Sequence, residues 1–431
     1  MFFTLSTQLE HMSGSVIRVP SKKLAVISSL MEVIPGKSIC VKCKGTKLLC
    51  GKRECPILVK ISSYFKHASS KRNIEGASPP SVFIGSRSMR VSIQVPNEKF
   101  GDTSVYSNPE GRWIHMDLKE IVDMRYELIG GYPEKIEKTI DEIREINLSK
   151  KSVDVEMTLK RAPRSKIELS DEIQPIGPSA PLLEIDYSQR GSNRSVEKVY
   201  YEEDMPAREA IRFLYERGES VYDIQRVFSL GMLGLKSKRR IVPTRLSITA
   251  VDDSLGKELS KEIKSFKTIE EIRIHEFNAL GNRFLIIMFP GAWKYESMEA
   301  WYPGTTWNPF GKRTYVLSDW EPFSGRSTYA QIGGCYYAAR LAVLEKLVSE
   351  KRQASVLILR EAYPEYLMPL GVWLVRESVR EALSREAVKL EEVKDLLNFL
   401  RYKLRIPPEE WMKNGILLRE ILQQKRITDF F

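Results

Sequence analysis

The sequence predicts a multidomain α+β protein, with a mixed sheet or sheets covered by helices, a small N-terminal four-cysteine zinc knuckle and a mostly helical C-terminal part. Three observations carry that expectation. At 431 residues the chain can bury a large core and divide into two or three domains. Its 42% apolar and 10% aromatic content belongs to a folded protein rather than a disordered one. Period-two stretches such as Val91–Val95 and Ser152–Leu159 are interspersed with period-3.6 stretches such as Pro133–Leu148 and Met205–Arg217.

In chain order, residues 1–35 carry a modest amphipathic run around Leu24–Ile34. CVKCKGTKLLCGKREC follows, with Cys40, Cys43, Cys50 and Cys55 inside sixteen residues. The two-residue spacing of Cys40 and Cys43 lets two thiolates grip one metal from a tight turn, and Cys50 and Cys55 complete a tetrahedral set. Four reduced thiols with no shared ligand would leave the clustering unexplained, so we expect a closed, structural Zn²⁺ site. The four-residue spacing of the second pair departs from a standard zinc ribbon. Cys335, flanked by Gly333, Gly334 and Tyr336, reads as a small residue packed in a helix start.

Ser78-Pro79-Pro80 breaks structure before a short strand at Val82–Ile84. The loop after Gly85, with Arg87 between two serines, fits either an oxyanion contact or a plain turn. Trp113–Leu128 reads as a helix or strand–helix region closed by Gly130-Gly131, and Pro133–Leu148 as a helix with its isoleucines on one face. Met205–Arg217 and Ser220–Leu230 form a helix pair around Gly218. A DNA-binding pair is one reading, with Tyr222–Gln225 opening the second helix; two packed helices are the simpler one.

Lys236–Asp253 changes character three times. A basic run including Lys238, Arg239 and Arg240 precedes Pro243 and Arg245; the apolar–polar alternation from Leu246 to Val251 then predicts a strand ending at Asp252 and Asp253. The basic residues fit phosphate or nucleic acid, and the simpler alternative is a solvated loop before a core strand. With Glu276, the two aspartates suggest a Mg²⁺ site for a nuclease or nucleotide-processing enzyme. Adjacent residues of a strand, however, point to opposite faces.

Beyond this stretch, Lys257–Phe266 is helical, and IEEIRIHEF and RFLIIMF are strands around a hairpin turn at Ala279–Asn282. Residues 292–323 are rich in aromatics. Trp293, Trp301, Trp307 and Trp320, with Lys312, Arg313 and Arg326, form either a stacking platform for unpaired bases or an aromatic-packed connection between domains. Tyr336–Val348, Leu370–Leu383, Leu390–Leu400 and Glu409–Leu422 are helical, with a buried strand at Ser355–Glu361.

The formal charge of +11 is consistent with a polyanionic partner. Only four histidines are present, which disfavours chemistry built on clustered imidazoles. P-loop, GxSxG, HExxH and Rossmann glycine fingerprints are absent from the sequence. The opening MFFTLSTQLEHM turns polar too early for a secretory signal, and the apolar runs are too short to span a bilayer. These features predict a cytoplasmic protein with no membrane partner.

RRIVPTRLSITAVDD (Arg239–Asp253) resembles the signature stretch of the archaeal Nre family of DNA repair proteins, whose members usually carry an aromatic at the place of Leu246. The cysteine cluster, SPPSVFIG (Ser78–Gly85), GPSAPL (Gly177–Leu182), IGGCYYAARLAVLE (Ile332–Glu345) and the terminal QKRITDFF agree with it. The resemblance implies a role in DNA damage repair and binding to the sliding clamp, without a settled catalytic activity. It also divides the chain into an N-terminal segment (1–35), the knuckle (36–66), an Nre N-terminal-type domain (67–310), an Nre C-terminal-type domain (311–422) and a tail (424–431). In that tail, Gln424, Ile427, Phe430 and Phe431 have the offsets of a clamp-interaction motif. One helical turn would put Ile427 and the two phenylalanines on one side, ready for a single apolar pocket.

Overall fold

A computed structural model describes residues 31–34, 43, 47–50, 52–79, 81–85, 90–168, 175–188 and 191–423. The N-terminal part holds strands β1 (Met31–Ile34), β2 (Asn73–Ser78), β3 (Val82–Ile84), β4 (Val91–Pro96), β5 (Leu128–Tyr132), β6 (Val153–Leu159), β7 (Ser165–Glu168) and β8 (Ser179–Tyr187). β1 and β7 form a parallel pair, and the others make a mixed sheet in the order β2-β6-β8-β5-β4-β3. Alternation along β6 buries Val153, Val155, Met157 and Leu159 on one face, against Ile74, Ile93, Ile129 and Ile146. GPSAPL opens β8 at a close backbone approach: a Cβ on Gly177 would lie 1.9 Å from the Leu128 carbonyl oxygen.

The N-terminal helices are α1 (Pro56–His67), α2 (Leu118–Glu127), α3 (Ile140–Leu148), α4 (Arg194–Tyr201), α5 (Ala207–Glu216), α6 (Val221–Ser229) and α7 (Thr244–Ile263). The expected helix over Pro133–Leu148 is shorter, since Ile136–Lys138 is a separate 3₁₀ turn. Helices α3–α7 share a second core containing Ile143, Val196, Leu214, Val227 and Leu255.

The second sheet is a packed layer. Its strands come from β9 (Lys267–Thr268), β10 (Ile272–Ala279), β11 (Asn282–Phe289), β12 (Lys294–Trp301), β13 (Tyr315–Glu321), β14 (Arg352–Gln353), β15 (Ser355–Ala362) and β16 (Val388–Leu390). β9 pairs with β14, and the remaining six run β13-β12-β15-β11-β10-β16. The hairpin turn falls at Leu280 (φ 49°) and Gly281 (φ 76°), the left-handed pair a tight two-residue turn needs. RFLIIMF is continuously apolar because the sheet is covered on both sides. Phe284, Ile286 and Met288 pack with α8 (Gly334–Glu350) and α9 (Trp373–Ser384). Leu285, Ile287 and Phe289 pack on the other side with α10 (Val393–Lys403), α11 (Pro408–Asn414) and α12 (Leu417–Gln423).

The C-terminal region is mainly helical, yet it donates β13, β15 and β16 to this sheet, and β12 and β13 pair across residue 310. Val388–Leu390, expected to start a helix, is instead the edge strand. The helix expected over Glu409–Leu422 divides at Gly415, where a Cβ would meet the Met298 sulfur at 2.9 Å. Glu296, buried on β12, then accepts from the Ile416 and Leu417 amides at 2.8 and 2.7 Å and so fixes the start of α12.

Candidate functional site

The largest departure from the sequence expectation is α7. Leu246–Val251 is helical rather than extended, and Asp252 and Asp253 lie mid-helix rather than at a strand end. The residues that face inward are Ser247, Val251, Leu255 and, one position round, Asp252, Gly256 and Ser260. The spacing of four is that of one helix face, and burial overrides the β-branched composition of Ile248, Thr249 and Val251. A Cβ on Gly256 would sit 2.6 Å from Arg340 Nη1 of α8, so glycine permits the close packing of these two helices.

Asp252 is fully buried. Its carboxylate accepts from Gln225 Nε2 of α6 at 2.8 Å and pairs with the buried Arg376 of α9. Arg376 also lies 5.0 Å from the centre of the Tyr222 ring, and the Tyr222 hydroxyl donates to Glu377 at 2.7 Å. Burial pushes the Asp252 carboxyl up, with Arg376 opposing it, while Asp252 holds the Arg376 guanidinium charged against the same burial. This cluster joins α6, α7 and α9. It also occupies the opening residues of α6, so a recognition-helix role for Tyr222–Gln225 is replaced by ordinary helix packing. Glu276 lies on β10, salt-bridged to Lys403 at 2.6 Å. Among the described residues the acids do not assemble into a metal site.

Asp253 faces elsewhere. With Lys257, its partner at 2.6 Å, it lines a cavity of about 220 Å³ closed by Glu321, Arg326, Tyr329, Tyr336 and Tyr337. Arg326 pairs with Asp319 at 2.6 Å and donates to the Thr328, Trp320 and Tyr329 carbonyls. Glu321 receives Trp293 Nε1, Arg340 and the Tyr336 hydroxyl at 3.1, 2.8 and 3.2 Å. Burial raises the Tyr336 and Tyr337 phenols, so both keep their protons. The charges balance in place, and the walls suit a small polar or aromatic group better than a free phosphate.

The basic stretch divides. Lys238, Arg240 and Arg245 are exposed around the start of α7. Arg239 instead donates to the Gly234, Tyr200 and Glu202 carbonyls at 2.7, 2.5 and 2.5 Å, capping the C-terminal end of α4. The Ile84 amide donates to Thr244 Oγ1 at 2.9 Å, bringing the end of β3 to the same place. Arg87 lies outside the described residues. The tryptophans divide too: Trp293 and Trp301 are core, whereas Trp307 is exposed together with Phe310 and Tyr315, two aromatics that sequence reasoning did not single out.

Of the cysteines, Cys43 and Cys55 are buried and Cys50 is half-buried, with Cys55 at the N-cap of α1. Cys40 lies outside the described residues, as do Gln424, Ile427, Phe430 and Phe431. Cys335 is the second residue of α8, as expected. No described helix is long and apolar enough to cross a membrane.

Two family models cover most of the chain: archaeal Nre, N-terminal, over residues 49–308, and archaeal Nre, C-terminal, over residues 321–430. The chain belongs to the archaeal Nre family. It is 38% identical over 387 residues to DNA repair protein NreB of Archaeoglobus fulgidus, covering 88% of this chain and 97% of that one. It is 35% identical over 380 residues to DNA repair protein NreA of the same organism, covering 86% and 95%. DNA repair protein NreA of Haloferax volcanii matches at 37% over 270 residues, 61% of this chain and 64% of its own. No solved structure matches. In this Nre chain the two matched segments share one sheet and one cavity: α7 supplies Asp253 and Lys257 from the first, and Glu321 through Tyr337 come from the second.

Proposed function

We propose that the protein is a DNA repair factor that binds nucleic acid through the exposed basic surface at the start of α7 and is recruited by the sliding clamp through residues 424–431. The observation that carries the reading is its 38% and 35% identity, nearly end to end, to two proteins named for DNA repair. The exposure of Lys238, Arg240 and Arg245 beside β3 supports a phosphate contact there, with Arg87 following β3 in sequence. The tail is supported by its residue offsets, directly after α12. Cys40, Cys43, Cys50 and Cys55 hold a structural Zn²⁺ as thiolates in this reading. Their spacing and ligand type support it, as does the burial of Cys43 and Cys55. A metal-dependent nuclease at Asp252 and Asp253 has no geometric support, because Asp252 is committed to Arg376 and Gln225.

The test is DNA binding by Lys238→Ala/Arg240→Ala/Arg245→Ala across a salt series. Weaker binding with a flatter dependence on log[salt] is the expected result, since every phosphate that is no longer neutralised reduces the slope by about 0.7–0.9. Unchanged affinity and slope would reject the surface as the phosphate site.

A further inference from the structure

Between β12 and β13 the loop 302–315 projects three aromatic rings into solvent. Trp307 is 53% exposed, Phe310 71% and Tyr315 53%. Large rings seldom stand together in water without a partner. Lys312 and Arg313 are exposed between them, and YPGTTWNPFGKRTY contains no acidic residue.

The loop is built rather than slack. Asn308, nearly buried, donates through Nδ2 to the Trp301 and Arg313 carbonyls, each at 2.8 Å, tying the two ends of the turn together. A Cβ on Gly311 would fall 1.7 Å from Asn308 Oδ1, so only glycine lets the chain pass that side chain. Thr305 and Asn308 bridge, and the Thr305 hydroxyl donates to the Tyr302 carbonyl at 2.6 Å. Trp307 meets the buried Trp301 edge-on at 6.1 Å between ring centres, which seats one side of its indole on the core. At Gly304, whose φ is +83°, a Cβ would lie 3.3 Å from the Cys50 carbonyl, so the loop base meets the cysteine-rich segment, where Lys47 and Leu49 are exposed.

We infer that this loop is a stacking site for the unpaired bases of single-stranded nucleic acid. Fixed, exposed rings offer faces that a base can stack on without regard to sequence, and the interleaved cations meet the backbone phosphates. A base within a duplex already has both faces covered, so the site selects single strands. The absence of acids on the loop gives the charge complementarity. The inference rests on the nucleic-acid reading above and assigns it a strand preference and a second contact region, distinct from the surface at α7.

The test measures fluorescence anisotropy of labelled oligothymidylate and of a labelled duplex with the full-length protein. The variants are Trp307→Ala/Phe310→Ala/Tyr315→Ala, the triple alanine variant at α7, and Asn308→Ala as a loop-release control. The aromatic variant should lose about tenfold or more in single-strand affinity and keep its duplex affinity. Circular dichroism and melting should match wild type, because the three rings are exposed. Asn308→Ala should weaken single-strand binding with all three rings still present. Single-strand affinity unchanged in the aromatic variant, with binding still sensitive at α7, overturns the stacking site while leaving the broader reading intact. Single-strand binding intact with loss of clamp binding would make the loop a protein-docking face and also overturn it. If the wild-type protein binds neither probe, the broader nucleic-acid reading fails first.

Discussion

Substituting Asp252→Ala would leave the fully buried Arg376 guanidinium without its carboxylate and the Gln225 amide without its acceptor. Removing one partner of a buried ion pair costs about 3–5 kcal/mol, because the remaining charge has been taken out of water with nothing to compensate it. With an unfolding entropy of about 2.1 cal/mol/K per residue, the 431-residue chain melting as one unit loses about 0.9 kcal/mol per degree, so the shift in Tm is about 3–6 °C. Differential scanning calorimetry on Asp252→Ala, Arg376→Met and the double variant gives the assay. The double variant should be less destabilised than the sum of the singles by about 2 kcal/mol or more, since it buries no orphaned charge. Additive singles, or an Asp252→Ala loss below about 1 kcal/mol, would refute the argument that this pair joins α6, α7 and α9.

Elemental analysis of purified protein should find one zinc per chain, and Cys43→Ser should release it; four reactive thiols with no stoichiometric metal would reject the knuckle. Gly177→Ala should cost more than the usual ~1–3 kcal/mol of overpacking, as its Cβ meets a carbonyl oxygen rather than a yielding side chain, and wild-type denaturant stability would contradict that close approach. His275 is buried on β10 with Nδ1 3.2 Å from the Arg385 carbonyl, and burial lowers its pKa below the ordinary 6.5. The unfolded chain therefore takes the proton first; the stability held by neutral His275 is complete above about pH 6.5 and is lost as pH falls towards the lowered folded value. His275→Gln should lose less stability than wild type between pH 7.5 and 5.5, and an equal loss would remove His275 from the account. Phe430→Ala/Phe431→Ala should abolish binding to the sliding clamp with Tm nearly unchanged, and a large drop in Tm would mean that the tail packs on its own domain.

Much of the second sheet is legible in the sequence. The hairpin at Leu280-Gly281 stands out because a tight turn interrupts two apolar runs, and the lack of alternation in RFLIIMF reports a strand covered on both faces. α7 is not legible by the same means. Its inward positions carry Ser247, Asp252, Gly256 and Ser260 among the aliphatics, so no apolar stripe marks the buried side. The six residues that alternate happen to fit period two as well. Asp252 reads as an exposed strand-end acid because its partner, Arg376, lies on another helix 124 residues later. The basic run misleads in the opposite sense: Arg239 is indistinguishable in sequence from Arg240, yet it is held on the carbonyls that end α4. A local pattern records composition, and these assignments turn on which side of an element meets a distant one.

The stretches that reveal the family are mostly those the scaffold cannot change. Gly177 passes a carbonyl, Gly333 has φ +72°, Gly334 abuts Val372, and Asp252 neutralises Arg376. The groups able to reach a ligand lie beside them: Arg240 and Arg245 at the start of α7, and the rings of the 302–315 loop. Arg245 and Asp252 share one helix, seven residues apart, so they share its position. Releasing Asp252 from Arg376 would shift α7 and displace Arg245 with it. Weakened DNA binding in an Asp252 variant would then arise without any chemistry at the carboxylate. The way to separate the two effects is Asp252→Asn, which keeps a hydrogen-bonding oxygen towards Arg376 and Gln225 while removing the charge, compared with Asp252→Ala at a temperature where both remain folded. Binding that follows stability across the pair marks Asp252 as a structural support for the basic surface.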